Sequence, residues 1–169
     1  MVRELAELVA LLHNVSSVQR LVDAARLVYG LGLRVFVATK VYGAAAQSGI
    51  PEAMRLALRA GGSFLVLQDL PDALELLKPD SVLLVSHGHA REFIDPFNPP
   101  VYSGRVLVVF NGGDPDFSAS ELAYGTPVYV KKAGSRLGPV AEAALVLYCL
   151  LSRGDRGEPS IERTTRGDR

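Results

Sequence analysis

The sequence predicts an α/β fold built on one parallel sheet. Several apolar runs of strand length, such as SVLLVS at 81–86 and RVLVVF at 105–110, carry no polar alternation, so both of their faces must be covered. Between them lie segments whose apolar residues recur at helical spacing, and glycine and proline punctuate most of the junctions. Strand and helix in alternation is the pattern of a parallel sheet with helices packed on both sides.

Residues 6–12 read as a short first strand, although a helix fits the same run. After His13 and Asn14, Ser16 or Ser17 can cap a helix whose apolar face is Val18, Leu21, Val22, Ala25, Val28 and Tyr29. Gly30 and Gly32 end that helix, and 33–39 form a buried-type strand. A loop, KVYGAAAQSGI, leads to Pro51 at the start of a helix that closes at Gly61-Gly62. Next come a strand at 63–68, a short helix at 69–77 and the strand 81–86. Residues 87–104, rich in proline, form the longest irregular segment. The strand 105–110, a short helix at 118–125 and a last strand at 126–132 follow. Gly138-Pro139 opens a helix over 140–153 that is apolar nearly all round, which predicts a covered helix and, at a subunit interface, a homodimer. The expected organisation is one domain over 1–152 and a charged, disordered tail over 153–169.

Composition narrows the function. Eighteen basic and eighteen acidic side chains balance, so a large basic nucleic-acid footprint is not encoded, while a local patch still fits. The apolar stretch 145–151 is far short of the roughly 20 residues a membrane span requires, and the N-terminal segment shows no signal-peptide cleavage pattern. A single cysteine, Cys149, excludes an internal disulfide and a cysteine-cluster metal site. A cytoplasmic protein is expected. In open parallel sheets ligands bind at the carboxyl ends of the strands, which directs attention to the loops at 86–88, 110–114 and 132–138.

Asn14 precedes Arg20 by six residues at a strand-to-helix turn, and the helix that follows leads into another strand. This stretch resembles the first motif of the SpoU-type RNA methyltransferases of the SPOUT superfamily. The segment VLVVFNGGDPDFSASELAYGTPVYVKKAGSRLGPVAEAALVLY resembles that family's second and third motifs in order. The resemblance spans roughly residues 7–151, with motif-level matches at its two ends. It implies a parallel α/β/α fold with a C-terminal trefoil knot, a homodimer packed through the last helix, and S-adenosylmethionine-dependent methyl transfer to RNA, on a ribose 2′-hydroxyl of tRNA or rRNA. It further implies that Arg20 and Asn14 are catalytic, with Arg20 meeting an RNA phosphate or assisting deprotonation of the hydroxyl. By the same resemblance S-adenosylmethionine would lie against Phe110, Asn111, Gly112, Gly113, Asp114, Val130, Lys131, Lys132, Leu137 and Gly138, with Ser86, His87 and Gly88 beside it. No resident metal ion is expected.

Three positions depart from the family pattern. Ser16 stands where many relatives have glycine, Asp114 stands for a glutamate, and Arg136-Leu137-Gly138 align with a Ser-Leu-Asn triplet. The missing asparagine opens a second reading, a non-catalytic knotted protein that binds RNA or a nucleotide. A third reading is a metal-dependent nuclease, which needs clustered acids beside a lysine. Leu70-Pro71-Asp72 and Lys78-Pro79-Asp80 match it only loosely, because Asp72, Glu75 and Lys78 fall on a helix pattern rather than a strand pair. His87 and His89 lack a third ligand at metal-binding spacing, and His13 gives no signal by itself. Lys131, Lys132 and Arg136 form a basic group that suits either solvent or a phosphate. Lys40, Gln47 and Ser48 lie in a loop open to substrate.

Overall fold

A computed structural model describes residues 6–152. Among them, seven strands form one sheet, each pair parallel, in the order β3-β2-β1-β6-β4-β7-β5. The strands are β1 Glu7–Val15, β2 Val35–Val41, β3 Ser63–Leu67, β4 Ser81–Val85, β5 Glu92–Ile94, β6 Arg105–Asn111 and β7 Thr126–Val130. The helices are α1 Val18–Gly30, α2 Ile50–Ala60, α3 Leu70–Leu77, α4 Ala119–Leu122 and α5 Pro139–Leu151.

Alternation along the central strands explains the layering. Ala10, Leu12, Val106, Val108 and Phe110 point into one core with residues of α1, α2 and α5, such as Leu21, Ala57 and Val146. Val9, Leu11, Leu107 and Val109 point into the other, against Leu70, Ala73 and Leu77 of α3 and against Phe117. Because both faces are filled, β1 and β6 have no polar side, which is why their sequences read as unbroken apolar runs. Caps delimit the helices as expected: Ser17 accepts the Arg20 amide at 3.2 Å, and Gly61 closes α2 in the left-handed region. At the β2–β3 edge Phe36 pairs in register with Phe64, and the rings stack at 5.5 Å.

Several sequence expectations need correction. The first strand runs on to Val15, so His13 and Asn14 lie within it rather than after it. Part of the expected loop after β2 is a π-helical segment, Ala45–Gly49, continuous with α2. The segment read as irregular contains β5, whose three residues extend the sheet beside β7. The helix expected over 118–125 is shorter, the four residues of α4, Ala119–Leu122, capped reciprocally by Ser118 and Glu121. The last strand stops at Val130, so Lys131 and Lys132 belong to the turn after it. The expected tail at 153–169 lies outside the described residues. No helix among the described residues is long and apolar enough to cross a membrane.

Candidate functional site

Buried polar side chains are costly unless hydrogen-bonded, so their location is informative. Among the described residues five are buried: His13, Thr39, Ser86, Asn111 and Glu142. The first four sit at the carboxyl ends of β1, β2, β4 and β6, in register along one edge of the sheet. The backbone is strained at the same edge. Asn14, Lys40 and Lys132 adopt left-handed conformations, with φ of 61°, 47° and 70°, at the ends of β1, β2 and β7. Such conformations cost a non-glycine residue roughly 1–3 kcal/mol and persist only where the surroundings enforce them.

Three groups of side chains occupy this edge. In the first, the His13 ring bonds Thr39 Oγ1 through Nδ1 at 2.7 Å and Glu121 Oε1 through Nε2 at 2.8 Å, and stacks on Phe117. The Lys40 ammonium lies 3.4 Å from Glu121 Oε1 and 3.6 Å from Asp69 Oδ2. Burial alone would raise the Glu121 pKa. Bonds from the Ser118 amide, His13 and Lys40 outweigh it and hold the carboxyl down at about 2. For Lys40, burial pulls the other way from Asp69 and Glu121, and the two carboxylates win, raising its pKa.

The second group follows β4. Ser86 donates to both oxygens of Asp116 at 2.8 and 2.9 Å, and His89 Nδ1 lies 3.3 Å from Asp116 Oδ2. Burial pushes Asp116 upward, but the bonds from Ser86, the Phe117 amide and His89 prevail, keeping it below the usual carboxylate range. The His89 side chain is half-exposed, whereas His87 packs edge-on against Tyr129.

The third group is the turn after β6. Asn111 folds it by accepting the Gly113 amide on its side-chain oxygen and donating to the Pro115 carbonyl. Arg20 donates to the Gly112 carbonyl at 2.9 Å and, through both terminal nitrogens, to Asp114 at 3.1 Å. Arg136 reaches across from the loop after β7 to the carbonyls of Asn111, Gly113 and Asp114. That loop is itself tied down. The buried Tyr129 hydroxyl donates to Glu142 at 2.7 Å and accepts the Leu137 amide at 2.9 Å. Desolvation first, and the Glu142 carboxylate second, push this phenol up to about 12, so it stays protonated as a strut.

The residues named from the sequence therefore meet on one edge, but many have internal duties. Phe110 and Val130 are core residues. Gly112 and Gly113 are required by close approach. A Cβ on Gly112 would lie 2.9 Å from Val15 Cβ, and one on Gly113 would lie 2.7 Å from the Asn14 side-chain nitrogen. Asn14 thus packs against this turn. Gly88 is similarly near Asp116. Gly138 starts α5 at φ 95°, a conformation suited to glycine. Lys131 pairs with Asp95 at 2.8 Å, while Lys132 is exposed. In the loose nuclease match, Asp72 lies in the first turn of α3, where it accepts the Asp69 amide, and Lys78 ends that helix, so they form no strand-borne acid–lysine pair. Sequence reading missed Thr39, Asp69, Glu121 and Asp116; it placed Lys40 in a loop open to substrate, where the structure has it in β2, and found no signal in His13 alone. The one signal was a polar residue at the end of each apolar strand.

Comparison with known proteins changes the chemistry expected here. Residues 43–149 match the family described as "RecB-family nuclease (DUF2122)". A protein of Aeropyrum pernix, named as a candidate type II restriction enzyme, is 53% identical over 151 residues, covering 89% of this chain and 97% of its own. A protein of Methanocaldococcus jannaschii with the same kind of name is 32% identical over 137 residues, covering 81% and 91%. Among solved structures, the SpoU methyltransferase AviRb of Streptomyces viridochromogenes, in complex with AdoMet, aligns with a TM-score of 0.71 at 16% identity, over 94% of this chain and 61% of that one. A methylase-family protein of Neisseria gonorrhoeae aligns with a TM-score of 0.68 at 15% identity, over 94% and 88%. Likeness at that identity establishes the parallel α/β fold and nothing finer. The expectations of RNA methyl transfer and of S-adenosylmethionine as cofactor are accordingly corrected: the relatives that share a third to a half of their residues carry nuclease names.

Proposed function

The chain belongs to the family described as RecB-family nucleases, and from that premise we propose that it acts on the phosphodiester backbone of nucleic acid, held at the carboxyl edge of its sheet. The observation that carries this reading is the coincidence on that edge of buried, fully bonded polar side chains with the left-handed Asn14, Lys40 and Lys132. Strain and buried polarity gathered in one place support the reading of this edge as a site.

Phosphodiester hydrolysis needs a held phosphate, a base for the attacking water and a proton for the leaving oxygen. Lys132 supplies an exposed cation beside the loop after β7. Arg20 lies against the 112–114 turn, bonded to the Gly112 carbonyl and to Asp114. His89 is the acid–base candidate: Asp116 engages its Nδ1, which directs Nε2 away from the carboxylate. Many hydrolytic nucleases use a divalent ion for these tasks. With the Lys40 ammonium seated between Asp69 and Glu121, the donor set at this edge does not fit one. Among the described residues no three His, Cys, Asp or Glu side chains converge as ligands. Glu121 caps α4, Asp69 caps α3, and Asp116 is engaged by Ser86 and the Phe117 amide. We therefore derive no step through a metal.

The assay is incubation of end-labelled single- and double-stranded RNA and DNA, with and without chelator. Shortened products are expected, and His89→Ala should lose them while remaining folded. Intact substrate under every condition would overturn the nuclease reading.

The finer points of assembly are proposals on separate grounds. Leu145 and Tyr148 project from α5 with exposed apolar surface, which supports a homodimer through that helix. The placement of β4 between β6 and β7 supports a chain crossing of the knotted kind. The single buried thiol, Cys149, supports residence in the cytoplasm.

A further inference from the structure

A pair of carboxylates facing one cation is the simplest arrangement that attracts a divalent ion. Asp69 and Glu121 form such a pair, approaching from the starts of two different helices, α3 and α4. The cation between them is supplied by the chain. Lys40 Nζ lies 3.6 Å from one carboxylate and 3.4 Å from the other, on a backbone bent into the left-handed region. We propose that the Lys40 ammonium is the resident cation of this seat, occupying the position that would otherwise take Mg²⁺ or Mn²⁺, so that the native protein recruits no divalent ion there.

Local geometry supports a permanent occupant. The Glu121 oxygens are not spare: Oε1 is shared by His13 and Lys40, and Oε2 accepts the Ser118 amide. Asp69 gives Oδ1 to the Leu70 amide and Oδ2 to Lys40. An ammonium has three donors and carries one charge, so it bridges two such oxygens without stripping either from its helix cap. A divalent ion would compete with that charge and with the bond from His13. The inference concerns cation occupancy alone and is independent of whether the edge cleaves nucleic acid.

The test uses the full chain in calorimetric titration with Mn²⁺ and with Mg²⁺, alongside the electron paramagnetic resonance signal of free Mn²⁺. The native protein should show no binding at this seat through the millimolar range. Lys40→Met keeps the length of the side chain and removes its charge. It should gain Mn²⁺ affinity by at least about tenfold, and adding Glu121→Gln should abolish the gain. Lys40→Gln provides a second neutral variant should Lys40→Met fail to fold. Lys40→Arg, which keeps a cation, should stay silent. Native Mn²⁺ binding that disappears in Glu121→Gln would overturn the proposal. So would neutral variants, folded by their melting curves, that bind no better than the native chain.

Discussion

Replacing Glu121 with Gln keeps the shape of the α4 cap but removes the charge that faces His13 and Lys40. The fall of this carboxyl from its ordinary 4.5 to about 2 corresponds to a ceiling of about 3 kcal/mol of stabilisation at neutral pH. The side chain keeps 17% of its surface in water, and Lys40 is exposed, so screening reduces the expected effect to about 2 kcal/mol. For a chain of 169 residues that is a drop in Tm of about 4–8 °C at pH 7. The pH dependence follows from the direction of the shift. Because the folded-state pKa lies below the unfolded one, the stabilisation is complete above the ordinary value of 4.5 and disappears as pH falls through about 2. Urea unfolding of both proteins between pH 7 and pH 2 should therefore show two curves converging as the solution is acidified. Equal stability at pH 7, or a gap that persists unchanged at pH 2, would refute the assignment of Glu121 as the charged centre of this group.

Gly112→Ala should destabilise the fold by about 1–3 kcal/mol in chemical denaturation, because its Cβ would press on Val15 and on the Asn14 carbonyl; an unchanged midpoint would show that the turn is not tightly packed. Tyr148→Glu places a charge on the exposed face of α5; if the proposed homodimer forms through that helix, sedimentation velocity should report a dimer for the native chain and a monomer for the variant, and equal sedimentation of the two would refute it.

Much of the fold could be read from the sequence because its signals are local. Ser17, Asp69, Gly61 and Gly138 mark helix ends by chemistry that acts within one turn. The runs of β2, β4 and β6 are apolar on both sides because helices cover both faces. β5 was hidden because it is three residues long and lies close to Pro96, Pro99 and Pro100, and only its pairing with β7 makes it a strand. The end of β1 was hidden for a different reason. His13 looks like a loop residue until Thr39, 26 positions away, and Glu121, 108 positions away, satisfy its ring. Pairing across such separations leaves no trace in periodicity.

The loops named from the sequence were legible as a place in the fold, and the methyl-transfer chemistry assigned to them is overturned by the relatives. The resemblance identified the loops after β4, β6 and β7, and these do lie along one edge together with Arg20. It assigned them a methyl donor because a parallel α/β frame can be shared by proteins whose residues at the edge differ. Gly112, Gly113 and Arg136, read as ligand contacts or a basic patch, are explained by the packing of one turn and the three carbonyls it turns towards Arg136.

The most direct test of the central claim is photo-crosslinking of a 4-thiouridine-containing oligonucleotide to the native protein, with the attached peptides identified by mass spectrometry. Attachment within residues 40–48, 86–91, 111–118 and 131–137 is the predicted result. Attachment instead at the opposite edge of the sheet, around Gly32, Leu33 and Arg34, would contradict the account.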